Sequence, residues 1–92
     1  MFAVECWDKA DSLQVRLDAR PAHLAYMDEH PDKVVMAGPL LTDDHQSPIG
    51  SLLVLNFDDR ADLDAFLAQD PYAIVGLFER VNVLPFRKVL PK

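Results

Sequence analysis

Cysteine is almost missing from this sequence. Cys6 stands alone among 92 residues, so no disulfide can close within the chain. Glycine is scarce as well. Gly38, Gly50 and Gly76 are the whole supply, and no glycine-rich loop is present to cradle a phosphate. No apolar run approaches the roughly 20 residues of a membrane span. The opening Met1-Phe2-Ala3-Val4-Glu5 has neither a basic start nor an apolar signal core, which makes the cytoplasm the default location. Positive charge is in deficit: nine Lys and Arg against 15 Asp and Glu give a net charge of −6. Nucleic acid and anionic membranes both require a basic footprint, so neither is an expected partner. The acidic charge is spread along the chain and serves solubility. No cluster of His, Cys and carboxylates has metal-ligand spacing, so no metal and no cofactor are expected. No Ser or Cys stands in a recognised nucleophile setting.

What is present is a core-forming chain of one domain, residues 1–92, with 50% hydrophobic residues. Phe2 to Trp7 reads as a strand with Phe2, Val4 and Cys6 on one face. Asp11 or Ser12 suits a helix N-cap, and Leu13, Leu17, Leu24 and Met27 follow at helical spacing. Pro21 removes an amide donor and disfavours helical geometry at Arg20. The pattern therefore predicts a helix near 11–19, a kink, and a second segment beginning at Pro21. Lys33 to Leu40 is a second strand and Gly50 to Phe57 a third, joined by a polar loop that favours an antiparallel hairpin. Asp58 or Asp59 caps a helix carrying Leu63, Phe66, Leu67 and Asp70 on one stripe. Pro71 to Gly76 forms a short turn, and Phe78 to Lys88 is the last strand.

The order is β-α-β-β-α-β, an α+β ferredoxin-like arrangement with a four-stranded antiparallel sheet and helices on one face. Three of the four strands are apolar on both faces. The uncovered face predicts a homodimer that packs sheet against sheet.

Three side chains stand out. Arg20 falls near the middle of the Leu17-Leu24-Met27 stripe, where a charged head must find an anion or snorkel to an edge. His23 lies about 60° further round, near Arg16. Asp70 points with Leu63, Phe66 and Leu67 towards the core or a cleft. It also caps the turn begun by Pro71, which uses one carboxylate oxygen and leaves the other free. His23 and Asp70 come from the two helices over one sheet face, which allows an Asp-His dyad with a base poised for proton transfer. His30 suits a helix end, His45 a solvated loop, and Cys6 an inert core position.

Arg20-Pro21-Ala22-His23-Leu24, Ala37-Gly38-Pro39, Gly50-Ser51, Asp70-Pro71-Tyr72 and Val83-x-Pro85-Phe86, in that order, resemble the YciI-like (YCII-related) family along nearly the whole chain. The resemblance implies a dimeric α+β barrel of ferredoxin-like subunits and an active site with a His-Asp pair, here His23 and Asp70. That family is related in fold to muconolactone isomerase and includes a dehydrochlorinase-type enzyme acting on a chlorinated hydroxyquinol. The expected function is a cofactor-independent lyase or isomerase acting on a small cyclic or phenolic substrate. His23 moves the proton, Asp70 orients it, Arg20 meets an anionic group, and Tyr72, Ser51 and Phe86 line the pocket. The alternative is a non-catalytic small-molecule-binding or dimerisation module with the same pocket.

Overall fold

The computed structural model describes all 92 residues. Its elements are β1 (Phe2–Asp8), α1 (Leu13–Asp28), β2 (Val34–Leu41), β3 (Pro48–Leu55), α2 (Arg60–Ala68), α3 (Pro71–Ile74) and β4 (Phe78–Pro85). The four strands form one antiparallel sheet in the order β2-β3-β1-β4. This is the ferredoxin-like order that the element pattern predicts.

Alternation decides which side chains meet the helices. Val4 pairs with Leu53 on one side and Val83 on the other, and Cys6 pairs with Ser51. The helix-side row of β1 and β3 is thereby Val4, Cys6, Ser51, Leu53 and Leu55, all buried. Met27 of α1 and Leu63 and Phe66 of α2 close over it and, with Phe57, complete the main core. Burying one such side chain contributes roughly 1.5–3 kcal/mol. Between β1 and β4 the register shifts so that Trp7 faces Arg80 while Asp8 faces Phe78. Glu79 is the extra residue of a β-bulge, and the bulge sets Phe78 opposite Asp8.

Several local expectations are corrected. Helix α1 runs unbroken from Leu13 to Asp28 with Pro21 inside it, not as two segments. Buried residues on either side, Arg16 and Ala19 before Pro21 and His23 and Met27 after it, hold one face against the sheet and α3. Packing on both sides overrides the local cost of the proline, about 3 kcal/mol in a helix interior. The face that packs is also not the leucine stripe. Leu13, Leu17 and Leu24 are exposed, and only Met27 of that set is buried. Ser12 stands at the N-cap but makes no capping bond there. Asp59 does cap α2, accepting from the Ala61 amide at 2.7 Å. Strand β4 ends at Pro85, before the expected Lys88.

The short α3 ends on a Schellman motif. Gly76, at φ +71°, donates its amide to Ala73 and the Leu77 amide reaches the Tyr72 carbonyl at 3.1 Å. The left-handed backbone is the reason for glycine there. This turn drives Leu77 into the small core that it shares with Ala19 and Tyr72.

Candidate active site

A cavity of about 520 Å³ opens between α1 and the β2–β3 half of the sheet. Its polar lining is Arg16, Arg20, His23, Asp28, Ser51 and Tyr72, and its apolar rim includes Leu17, Leu24 and Pro39. The leucine stripe therefore flanks a cleft and does not enter the core.

His23 sits on the packed face of α1 and is 6% exposed. Its Nδ1 lies 2.7 Å from Asp70 Oδ1. Asp70 is 1% exposed and caps α3: the same Oδ1 accepts the Tyr72 amide at 3.0 Å. One oxygen thus serves both roles, where the sequence reading divided them between two. The cap fixes the carboxylate, and the carboxylate fixes the imidazole. Since ionised Asp70 only accepts, neutral His23 carries its proton on Nδ1. No fully buried side-chain polar atom in the chain lacks a partner. The unpartnered Nε2 is accordingly open to the cavity that His23 lines.

Tyr72 stacks on the His23 ring, with centroids 4.0 Å apart and planes 13° apart. The ring sits over Ala19, the small residue between Arg16 and His23 on the buried face of α1. The Arg16 guanidinium lies 4.6 Å from the Tyr72 centroid, a cation–π contact. Burial raises the phenol pKa of Tyr72, against the opposing pull of Arg16 and Arg20. The hydroxyl keeps its proton at neutral pH.

Arg16 also lines the cavity, although its sequence context does not single it out. It is 3% exposed. Its Nε and Nη2 grip the two oxygens of Asp8 at 2.7 and 3.0 Å, and Nη2 also donates to Ser51 Oγ at 2.8 Å. Burial would lower its pKa, but the hydrogen bonds and charge of Asp8, with a smaller contribution from Tyr72, outweigh this and raise it. Arg20, expected near the middle of the packed stripe, is exposed and lines the cavity from α1. Ser51 is set by Gly50, where a Cβ would collide with the Cys6 carbonyl. Phe86 is not in this site. It lines a separate hollow with Phe2, Phe57 and Asp58, because β4 ends at Pro85 and carries the chain away from the cleft.

The remaining candidates fall outside. His30 packs against the rings of Tyr26 and Phe66, and His45 occupies a left-handed turn position in the β2–β3 loop. Cys6 is buried, and burial, followed by the charge of Asp70, pushes its thiol up to about 12. No group of three or more His, Cys, Asp or Glu side chains is assembled for a metal ion.

The profile of the YCII-related domain matches residues 1–87. The chain belongs to the YCII-related family. Among its relatives, protein YciI of Escherichia coli O6:H1 is 36% identical over 96 residues, which span 97% of this chain and 98% of that protein. Similar in structure is 5-chloro-2-hydroxyhydroquinone dehydrochlorinase (TftG) of Burkholderia phenoliruptrix AC1100, solved in complex with 2,5-dihydroxybenzoquinone. It is 31% identical, with a TM-score of 0.86 over 94% of this chain and 92% of that one. SnoaB, a cofactor-independent oxygenase of Streptomyces nogalater, is 15% identical with a TM-score of 0.58 over 99% of this chain and 95% of that one. It shares the fold of this YCII-related chain.

Proposed function

We propose that this YCII-related protein is a small cofactor-independent enzyme of lyase or isomerase type, in which His23 moves a proton on a small cyclic or phenolic substrate. The observation that carries the reading is the 2.7 Å bond from His23 Nδ1 to an Asp70 carboxylate that is itself held by the α3 cap. It leaves Nε2 as a fixed proton acceptor at the wall of a cavity sized for one ring. Arg20 at the cavity wall draws in an anionic group.

The dehydrochlorinase relative suggests the reaction class. Applied to a chlorinated hydroxyquinol, the chemistry balances without an external oxidant. His23 accepts a phenolic proton and returns it to the ring carbon that bears chlorine. Chloride then leaves as a second phenolic O–H ionises. The carbon is reduced from C–Cl to C–H while two hydroxyls become quinone carbonyls, and the net loss is HCl.

The test uses two readouts under anaerobic conditions. One is chloride release from 5-chloro-2-hydroxyhydroquinone. The other is ring hydrogen–deuterium exchange of 2-hydroxyhydroquinone in D2O, followed by proton NMR. The wild type accelerates at least one above buffer. His23→Gln lowers that rate by about 10²–10⁴ while binding of 2,5-dihydroxybenzoquinone changes little. Binding of the quinone with neither reaction accelerated makes the protein a binding module and overturns the enzyme reading.

The same proposal includes a homodimer through the uncovered sheet face. Met36 and Leu84 are exposed there, beside half-buried Trp7 and Leu52.

A further inference from the structure

The leucine stripe of α1 is the one strong sequence feature that neither the core nor the acid–base reading absorbs. Leu17 and Leu24 are 46% and 41% exposed, yet both line the cavity. The cavity is polar at one end and apolar at the other. Arg16, Ser51 and Tyr72 gather at the polar end, with His23 beside them. Beyond His23 the cavity continues past Leu24 and Met27 to Pro31 and Val34, with Ala37 on the sheet side. Strand register fixes this direction. Val34 pairs with Leu55, Ala37 with Leu53 and Pro39 with Ser51, so β2 runs from the apolar end to the polar one. Helix α1, with Arg16 at one end and Met27 at the other, runs the opposite way.

Arg16 to Asp28 covers about 18 Å of helix, and Val34 to Pro39 about 16 Å of strand. A cavity of roughly 150 Å³ is enough for one benzene molecule. This one measures about 520 Å³. One ring held at His23, even with its oxygens, takes up the polar end alone. The walls beyond it are chemically uniform. Leu24, Met27, Pro31, Val34 and Ala37 carry no strong side-chain donor or acceptor, so this lobe binds by removing apolar surface from water. The one charge among the lining residues there, Asp28, is exposed and negative, and it repels an anionic group. Ala37 and Leu53 share the helix side of the sheet, so the lobe lies on the opposite side from the proposed dimer face.

We propose that the substrate is a hydroxylated ring carrying an apolar substituent, which lies in this lobe while the ring meets His23. Leu24 on α1 and Ala37 on β2 face the substituent from two sides and select for it. The inference deepens the acid–base reading and rests on it for the ring and its reaction, but the contribution of the lobe is read from binding alone.

The test is calorimetric titration of the wild type with 2,5-dihydroxy-1,4-benzoquinone and its 3-ethyl, 3-butyl and 3-hexyl derivatives. Affinity is expected to rise by about two- to fourfold per methylene while the chain stays within the lobe. Ala37→Phe fills the lobe from an exposed position on β2 and removes this gain, and the parent quinone still binds within about twofold of its wild-type affinity. Leu24→Asn, at an exposed position on α1, lowers affinity for the hexyl quinone by about fivefold or more and leaves the parent unchanged. Circular dichroism reports whether Ala37→Phe is folded, and Leu24→Asn decides the matter if it is not. The lobe is overturned if no member of the series binds, if the hexyl and parent quinones bind within about threefold of each other, or if a folded variant keeps the full gain, which would put the chain on another apolar surface. A gain that the variants abolish, without ring-proton exchange by the wild type, sinks the acid–base reading and leaves the lobe standing. Exchange by the wild type without any gain removes the lobe and leaves the acid–base reading.

Discussion

Arg16 and Arg20 lie one helical turn apart on α1 and have opposite fates. Arg16 is buried against Asp8, whose side chain is equally enclosed, whereas Arg20 meets solvent beside the cavity. Truncating Arg16 leaves a buried carboxylate without its partner, a loss of about 3–5 kcal/mol. Arg20→Ala removes an exposed cation and is expected to change stability by less than about 0.5 kcal/mol. Urea denaturation of both variants checks the contrast, and equal effects would contradict it. At this scale Arg20, His23, Ser51 and Tyr72 are legible in the sequence as cavity residues, and Asp70 as the buried partner of His23. Asp70 in particular was marked by an apolar stripe and a following proline. Arg16 was not, because two stripes compete on α1. Leu13, Leu17 and Leu24 make one arc, and Arg16, Ala19, His23 and Met27 make another, roughly 90° away on a helical wheel. Hydrophobicity favours the first. The second wins because its polar members find buried partners, namely Asp8, Ser51 and Asp70, on elements distant in sequence.

Among the elements, α1 shows most plainly how tertiary contacts displace a local rule. The order of strands and helices, the β1 face and the Asp59 cap follow from patterns a few residues long, and they appear in the structure as read. Pro21 is equally local, but its effect depends on what the flanking turns are bonded to. With Arg16 and His23 both anchored, the helix tolerates the missing amide. Pro21→Ala restores a donor for the Leu17 carbonyl, partly offset by a more flexible unfolded chain. A gain of roughly 1–3 kcal/mol in urea denaturation is expected. A loss of stability would mean that Pro21 shapes α1 in a way that ordinary helical geometry does not require.

Taken as a whole, the molecule stores its titratable strain on the alkaline side. Burial raises the pKa values of Cys6, Tyr26 and Tyr72, and Cys6 moves from 9.0 to about 12. Above pH about 9 the unfolded chain releases protons that the folded chain retains. These three groups therefore cost no stability below that pH and lower it as pH rises towards 12. Cys6 alone contributes a slope of up to about 1.4 kcal/mol per pH unit. Urea midpoints measured at rising pH decline in the wild type and decline less in Cys6→Ala; parallel curves would contradict this account. The open sheet face belongs to the same scale. The proposed homodimer predicts sedimentation at twice the 10.4 kDa chain mass at micromolar concentration, and Met36→Asp with Leu84→Asp shifts it to the monomer. A wild-type species at the single-chain mass would end the dimer proposal.

Proton transfer in this cavity turns on one atom, His23 Nε2, being free to accept a proton while Nδ1 is held by Asp70. Nitrogen–proton correlation of the imidazole side chains, recorded at a pH where the ring is neutral, reads this directly. The geometry predicts His23 in the Nδ1–H form with Nε2 bare, the opposite of the form a neutral imidazole favours in water. A His23 spectrum with the proton on Nε2 would contradict the central claim.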